Sequence, residues 1–194
     1  MTGLAQLLST LTSGDDERAE AAVEKIAAAG RGAVPFLQEM LSAPDGDTRW
    51  WAVRALAAID HPNIAGILHA ALHDPDPAVR QCAALGLCMH PTANTAPDLI
   101  AALESDDRLL ARLAREALAT MGSDAVPALL EVMERRPQAA RLDAVQALAA
   151  IKDPRAIEAF FRAIRDGDSA LIEYWADIGL EQMGVGMVFF TAPA

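Results

Sequence analysis

One stretch of sequence returns along this chain at a nearly fixed interval, and that interval decides what the chain can fold into. Asp74 to Leu87 reads DPDPAVRQCAALGL, and 31 residues earlier Ala43 to Leu56 reads APDGDTRWWAVRAL. At an offset of 61 residues the same pattern reappears as QAARLDAVQAL, Gln138 to Leu148. A period in this range is the mark of stacked supersecondary units, each too small to bury its apolar face alone. The core is then a continuous stripe between units, and counting domains from length does not apply.

Within each period the apolar spacing is helical twice over. Expected first helices are Ala33–Leu41, Asn63–His73, Thr95–Leu103, Asp124–Glu134 and Pro154–Arg165, opened by Gly3–Leu11. Expected second helices are Asp16–Ala29, Asp47–Ile59, Pro77–Met89, Arg108–Met121, Ala139–Ile151 and Ala170–Met183. The breaks have local causes. Asp76 before Pro77, and Asp153 before Pro154, place a capping carboxylate ahead of a proline whose missing N–H costs nothing there. Ser123 and Asp168 are read as caps without the proline, and Pro35 and Pro127 fall in first turns, where proline is tolerated. Small residues recur at matched places (Ala52, Ala55; Ala83, Gly86; Ala114, Ala117; Ala144, Ala147; Ala176, Gly179), each set followed by Leu56, Leu87, Leu118, Leu148 or Leu180. Such a stripe lets helices approach closely while the Leu fills the space between layers. The composition agrees: 53% of residues are hydrophobic but only 5% aromatic, so the core rests on Ala, Leu, Ile and Val.

The Asp-Pro turn, the Val-Arg pair and the Ala-rich helix ending in Ala-Leu closely resemble the HEAT-repeat family, and within it the HEAT-like repeats of phycobilin lyases. Asp76, Val79, Arg80 and Leu87 carry the match, and the register covers about residues 15–183. The resemblance implies an all-α, right-handed α-α superhelix of about six HEAT-like hairpins over residues 1–183. Its second helices would line the concave face. It also implies a ladder in which Arg49, Arg80 and Arg141 pair with the turn residues Asp45, Asp76 and Asp107 of neighbouring units, interrupted at Ala111 and Glu173.

On that concave face two rows should point outward: Trp50, Gln81, Arg112, Leu142 and Tyr174, then one turn later Arg54, Leu85, Glu116, Gln146 and Ile178. Aromatic, Arg and aliphatic residues in such rows are typical anchors for a partner, so these ten are the candidate binding residues. If instead the array curves tightly, they pack against one another.

Other constellations read as structural. His69 and His73 stand four apart with Asp74 following, which is metal-ligand spacing, but Ala70 occupies the place where a metalloprotease-type motif needs glutamate. With Ile100, Leu130 and Phe161 at positions matched to His69, that ring is expected on the hairpin interface, and no metal is expected. Acidic clusters such as Asp15-Asp16-Glu17 and Asp106-Asp107 fall at helix starts, where they favour the dipole. Cys82 and Cys88 share one helix about 120° apart, against a disulfide or shared metal. No nucleophilic motif or phosphate loop requires an enzyme. The tail 184–194 (GVGMVFFTAPA) is expected to cap the apolar end of the array, with a contact patch for self-association or a partner as the alternative.

The net charge is −11, and the 27 acidic residues are divided 12 and 15 between residues 1–100 and 101–194. Nucleic-acid binding draws on Lys and Arg, so this balance argues against nucleic acid, and none is expected as a partner. That also sets aside a base-excising DNA glycosylase, another activity found on HEAT-like scaffolds. The N-terminus has no basic start with a long apolar run, no segment reaches ~18 apolar residues, and a soluble cytoplasmic protein is expected. The residues favour a non-catalytic adaptor that binds another protein or peptide without a cofactor. The resemblance offers the alternative, a phycobilin lyase-like protein handling a linear tetrapyrrole on a phycobiliprotein, with Arg54 and Arg112 placed for its propionates.

Overall fold

A computed structural model describes residues 2–167 and 169–185. Twelve α-helices follow one another: α1 Thr2–Leu11, α2 Asp16–Ala29, α3 Val34–Met40, α4 Gly46–Ala57, α5 Ile64–Ala71, α6 Pro77–Met89, α7 Ala96–Ala102, α8 Arg108–Thr120, α9 Val126–Arg135, α10 Gln138–Ile151, α11 Ile157–Asp166 and α12 Ala170–Gln182. No strand occurs among the described residues. Odd-numbered helices are the first helices of six hairpins, even-numbered ones the second. Short 3-10 turns precede α3, α7, α9 and α11, so the run expected from Pro154 begins as a 3-10 turn and becomes α-helical at Ile157.

The caps explain where the second helices start. Asp15, Asp45, Asp76 and Asp107 sit in extended backbone, and each carboxylate accepts a backbone N–H from the first turn: Arg18, Thr48, Ala78, and Leu109 with Leu110. Each such cap contributes ~1 kcal/mol relative to alanine. Ser169 does the same for α12 through the N–H of Ile172. Ser123 does not cap α9. Its hydroxyl donates to Asp153 at 2.9 Å, binding one 3-10 turn to the next. The expected cap at Asp168 lies outside the described residues, as does the tail from Gly186 on. Gly184 and Val185 are described, and Val185 packs against the core.

One hydrophobic core runs unbroken from Leu11 to Leu180. The small-residue stripe has the role its spacing implies: Ala55, Ala117 and Ala147 are essentially fully buried, with Leu56, Leu87, Leu118, Leu148 and Leu180 beside them. Each buried Leu contributes ~2 kcal/mol relative to exposure. At the two glycines of the stripe even a methyl group is too large. A Cβ on Gly86 would come within 2.9 Å of Leu68 and of Ala57, and one on Gly179 within 2.5 Å of the Phe160 ring. Consecutive second helices pack closely (α2 on α4, α4 on α6, α6 on α8, α8 on α10, α10 on α12), whereas consecutive first helices touch little. The second helices therefore form the inside of the curve.

Candidate functional site

Three second helices, α4, α6 and α8, present adjoining turns along this inner face. Between them lies a depression of about 410 Å³ lined by Trp50, Arg54, Ala78, Gln81, Cys82, Leu85, Leu109, Arg112, Leu113 and Glu116. Six of the ten residues expected from the two outward rows meet here: Trp50, Arg54, Gln81, Leu85, Arg112 and Glu116. Leu142, Gln146, Tyr174 and Ile178 do not. They continue the rows along α10 and α12, away from the depression.

The depression has an apolar floor and a charged rim. Leu85 and Leu109 stand 49% and 42% exposed, unusual for large aliphatic side chains. Trp50 and Leu142 correct the expectation of fully outward side chains, since both are half-buried against the core. Trp50 is held edge-to-face against Trp51, with ring centroids 4.8 Å apart. Leu109 is a contributor the sequence rows missed, because it precedes the regular stripe at the start of α8.

The polar side chains are all engaged. Arg54 is ion-paired with Glu20 of α2, and Arg112 with Glu116 at 3.1 Å on its own helix. Gln81 donates to the capping carboxylate Asp107 at 2.8 Å. An anionic ligand would thus have to displace a carboxylate from Arg54 or Arg112. Both pairs are partly exposed, where such exchange costs little. On the floor, burial pushes the Cys82 thiol up to about 12, and further along α6, beyond the residues lining the depression, Cys88 to about 11. Neither supplies a thiolate near neutral pH.

Towards α2 the depression opens into a second one of about 690 Å³, sharing Trp50 and Ala78 and bounded by Asp16, Glu20, Asp45, Asp47 and Trp51. The inner face therefore changes character along its length, from carboxylates around two indoles to aliphatic side chains flanked by two guanidinium–carboxylate pairs.

The polar ladder implied by the resemblance differs from expectation. Arg49 reaches the next unit, but its partner is Asp74: Nε and Nη2 donate to the two carboxylate oxygens at 2.8 Å each. Its Nη1 also donates to the carbonyls of Ala43 and Pro44. Asp45, Asp76 and Asp107 serve as helix caps instead. Arg80 repeats only the carbonyl half of this arrangement, donating to Asp74 and Pro75. Ser105 stands 31 residues after Asp74, where a matching carboxylate would be. His69 likewise departs from its expected place, since its ring turns to Asp98 of α7, at 2.5 Å, rather than into its own hairpin.

Stacked helical hairpins sharing one continuous core have the form of an all-α repeat solenoid. The chain belongs to the HEAT-repeat family, whose profile matches residues 4–88, 34–119, 64–141 and 96–181. It is 30% identical over 99 residues to the bilin biosynthesis protein RpcF of Synechococcus sp. (strain WH8020), a match covering 51% of this chain and 47% of that protein. The match thus spans about half the length of that curated relative. Among solved structures, the E. coli protein YibA aligns with a TM-score of 0.62 at 17% identity, over 93% of this chain and 71% of that one. The complex of CpcE and CpcF, the phycocyanin lyase from Nostoc sp. PCC7120, aligns at 0.56 and 22% identity, over 93% of this chain and 77% of the other. Both likenesses place the fold. No described helix is long and apolar enough to cross a membrane.

Proposed function

We propose that this protein is a phycobilin lyase-type HEAT-repeat scaffold whose inner groove holds a linear tetrapyrrole while the protein that carries it docks alongside. The observation that supports this most directly is the graded groove. An open-chain tetrapyrrole is a long apolar conjugated body with two propionates and a row of pyrrole N–H donors. Leu85, Leu109, Leu113 and Trp50 would take the conjugated body, and Arg54 and Arg112 the propionates. The carboxylates around Trp50 and Trp51 would accept from pyrrole N–H groups and repel the propionates, which fixes the direction of the ligand. The likeness to a bilin biosynthesis protein supports the same reading.

The test is titration of the full chain with a soluble bilin, followed by absorption and by circular dichroism in the visible band. A red shift with induced dichroism is expected. It should weaken about tenfold or more in Leu85→Glu/Arg112→Glu, which alters two exposed side chains and leaves the core intact.

A second reading is a non-catalytic adaptor, supported by the apolar row continuing past the groove to Tyr174, 57% exposed on α12. That length suits a protein partner such as a second HEAT-type chain. No spectral change with any bilin, together with a defined protein complex lost in Tyr174→Glu, would decide for the adaptor.

A further inference from the structure

On the outer layer, where consecutive first helices scarcely touch, three metal-ligating side chains from two units converge. His69 lies on α5, His73 on the turn that ends it, and Asp98 in the first turn of α7. Asp98 places Oδ2 at 2.5 Å from His69 Nε2 and Oδ1 at 3.5 Å from His73 Nε2. The two imidazoles are 6.2 Å apart between centroids, and the three ligand atoms all lie within 4.8 Å of one another. We propose that His69, His73 and Asp98 form a binding site for a borderline divalent transition metal, Zn²⁺ above all, that fastens the third hairpin to the fourth.

The repeat itself does not call for these residues. At positions matched to His69 the neighbouring units carry Gln38 and Ile100, at those matched to His73 Ser42 and Glu104, and at those matched to Asp98 Ile67 and Ala128. A stacking role is therefore met by apolar and ordinary polar side chains elsewhere, and the three ligands occur together at one junction. The sequence pointed to Asp74 as the third group after the His pair, but Asp74 is turned away to Arg49. The chelating carboxylate comes from 25 residues beyond His73, across the gap between α5 and α7.

The donor set selects the ion. Two imidazoles and one carboxylate suit Zn²⁺ and its neighbours in the first transition row, whereas Ca²⁺ and Mg²⁺ ask for oxygen donors. Zn–N and Zn–O bonds of about 2.0–2.1 Å put tetrahedral ligand atoms ~3.4 Å apart. The present separations bracket that value, and His73 is 64% exposed, with His69 and Asp98 about one-third exposed, so the side chains can close without moving the helices. Both rings present Nε2 to the carboxylate. Three protein ligands leave a fourth position open to water or to a group from a docked partner. The chain's charge of −11 favours any cation at long range.

The test uses the full chain stripped with chelator and titrated with Zn²⁺ by calorimetry, with Co²⁺ absorption as a report on coordination. One equivalent is expected, with the visible bands of a tetrahedral nitrogen–oxygen site. His69→Ala and Asp98→Ala should each weaken binding about tenfold or more, and His69→Ala/His73→Ala should abolish it. Cys82→Ala/Cys88→Ala should bind as wild type does. Zn²⁺ should also raise the melting temperature of the wild type by several degrees in hundredfold excess over Kd, and leave that of the double His variant unchanged. No heat on adding Zn²⁺ to the wild type, or an isotherm in the double His variant matching the wild type, would overturn the proposal.

Discussion

The junction between the second and third hairpins and the junction between the fourth and fifth join the same kind of helices, yet their polar ties differ. At the first, Arg49 and Asp74 lie at the regular ladder position, bidentate, with side chains only 11% and 12% exposed. The Arg49 guanidinium and the Asp76 N–H hold the Asp74 carboxyl below its ordinary value. At the second, Ala111 leaves the ladder position empty of charge. The tie moves one turn along α8 to Arg115, which meets Asp143 at 3.2 Å and also donates to Gln146. Asp143 is 5% exposed, and burial pushes its carboxyl up against the opposing pull of Arg115. The first tie holds its carboxyl below the ordinary value through direct hydrogen bonds, and the second only partly offsets the burial that pushes the other up. A stacked array tolerates either, because each junction is closed by its own local contacts, even though Asp143 Oδ2 is buried without a hydrogen-bond partner.

This contrast can be broken at its costlier end first. Arg115→Ala would leave Asp143 buried without its counter-ion and should destabilise the chain by ~3 kcal/mol, moderated by solvent at the rim. Thermal melting should register a drop of roughly 6–12 °C. A drop under about 2 °C would mean that Asp143 is hydrated or protonated at no cost, and the two junctions would then be equivalent.

Asp74→Ala removes the regular tie and should lower the melting temperature by about 5 °C at neutral pH. The pH dependence gives the sharper reading. A carboxyl held below its ordinary 3.8 contributes stability that is present above that value and lost as pH falls through the lower, folded one. The gap between wild type and Asp74→Ala should therefore close in acid. Asp143 has the opposite sign: raised in the folded chain, it takes stability away as pH rises from 3.8 through its folded value. A gap that stays constant down to pH ~2 would remove the electrostatic account of the Arg49–Asp74 tie.

The smallest effect is a gain. Ser105 Oγ accepts from the Asp107 N–H at 3.1 Å, just as Asp74 Oδ1 accepts from the Asp76 N–H at 2.9 Å. Ser105→Asp should keep that bond and offer Arg80 the carboxylate it lacks, raising the melting temperature by about 1–2 °C. A melting temperature unchanged or lowered would show that the ladder geometry does not extend to the fourth unit.

Much of this architecture was legible because it is local. Helix starts at Asp16, Pro77 and Arg108 follow from a capping carboxylate one residue before and an apolar stripe after, all within one turn, whereas at Ala170 the cap is Ser169 rather than the expected Asp168. The stripe of small residues was equally plain, since Ala and Gly at a fixed place in each period have no reason other than close approach. Six of the ten inner-face residues gathered in one depression because α4, α6 and α8 follow the period faithfully. Asp143 carried a readable signal that went unread: its matched positions are Trp51, Cys82, Leu113 and Trp175, so a carboxylate there announces a buried charge in need of a partner. Arg115, matched to Val53 and Ala84, is the compensating departure.

By itself, then, the sequence determined the period, the helices, the Asp-Pro caps and which face of each second helix turns inward. All of these rest on interactions between residues a few positions apart, whose geometry the backbone sets in advance. The tertiary structure alone decided that Arg49 pairs with Asp74 rather than Asp76, that Leu142 and Tyr174 lie outside the groove, and that Asp98 rather than Asp74 meets the two histidines. Those choices depend on the small shift and rotation between successive hairpins, and a displacement of a few ångströms there is enough to exchange one partner for another a turn or two away.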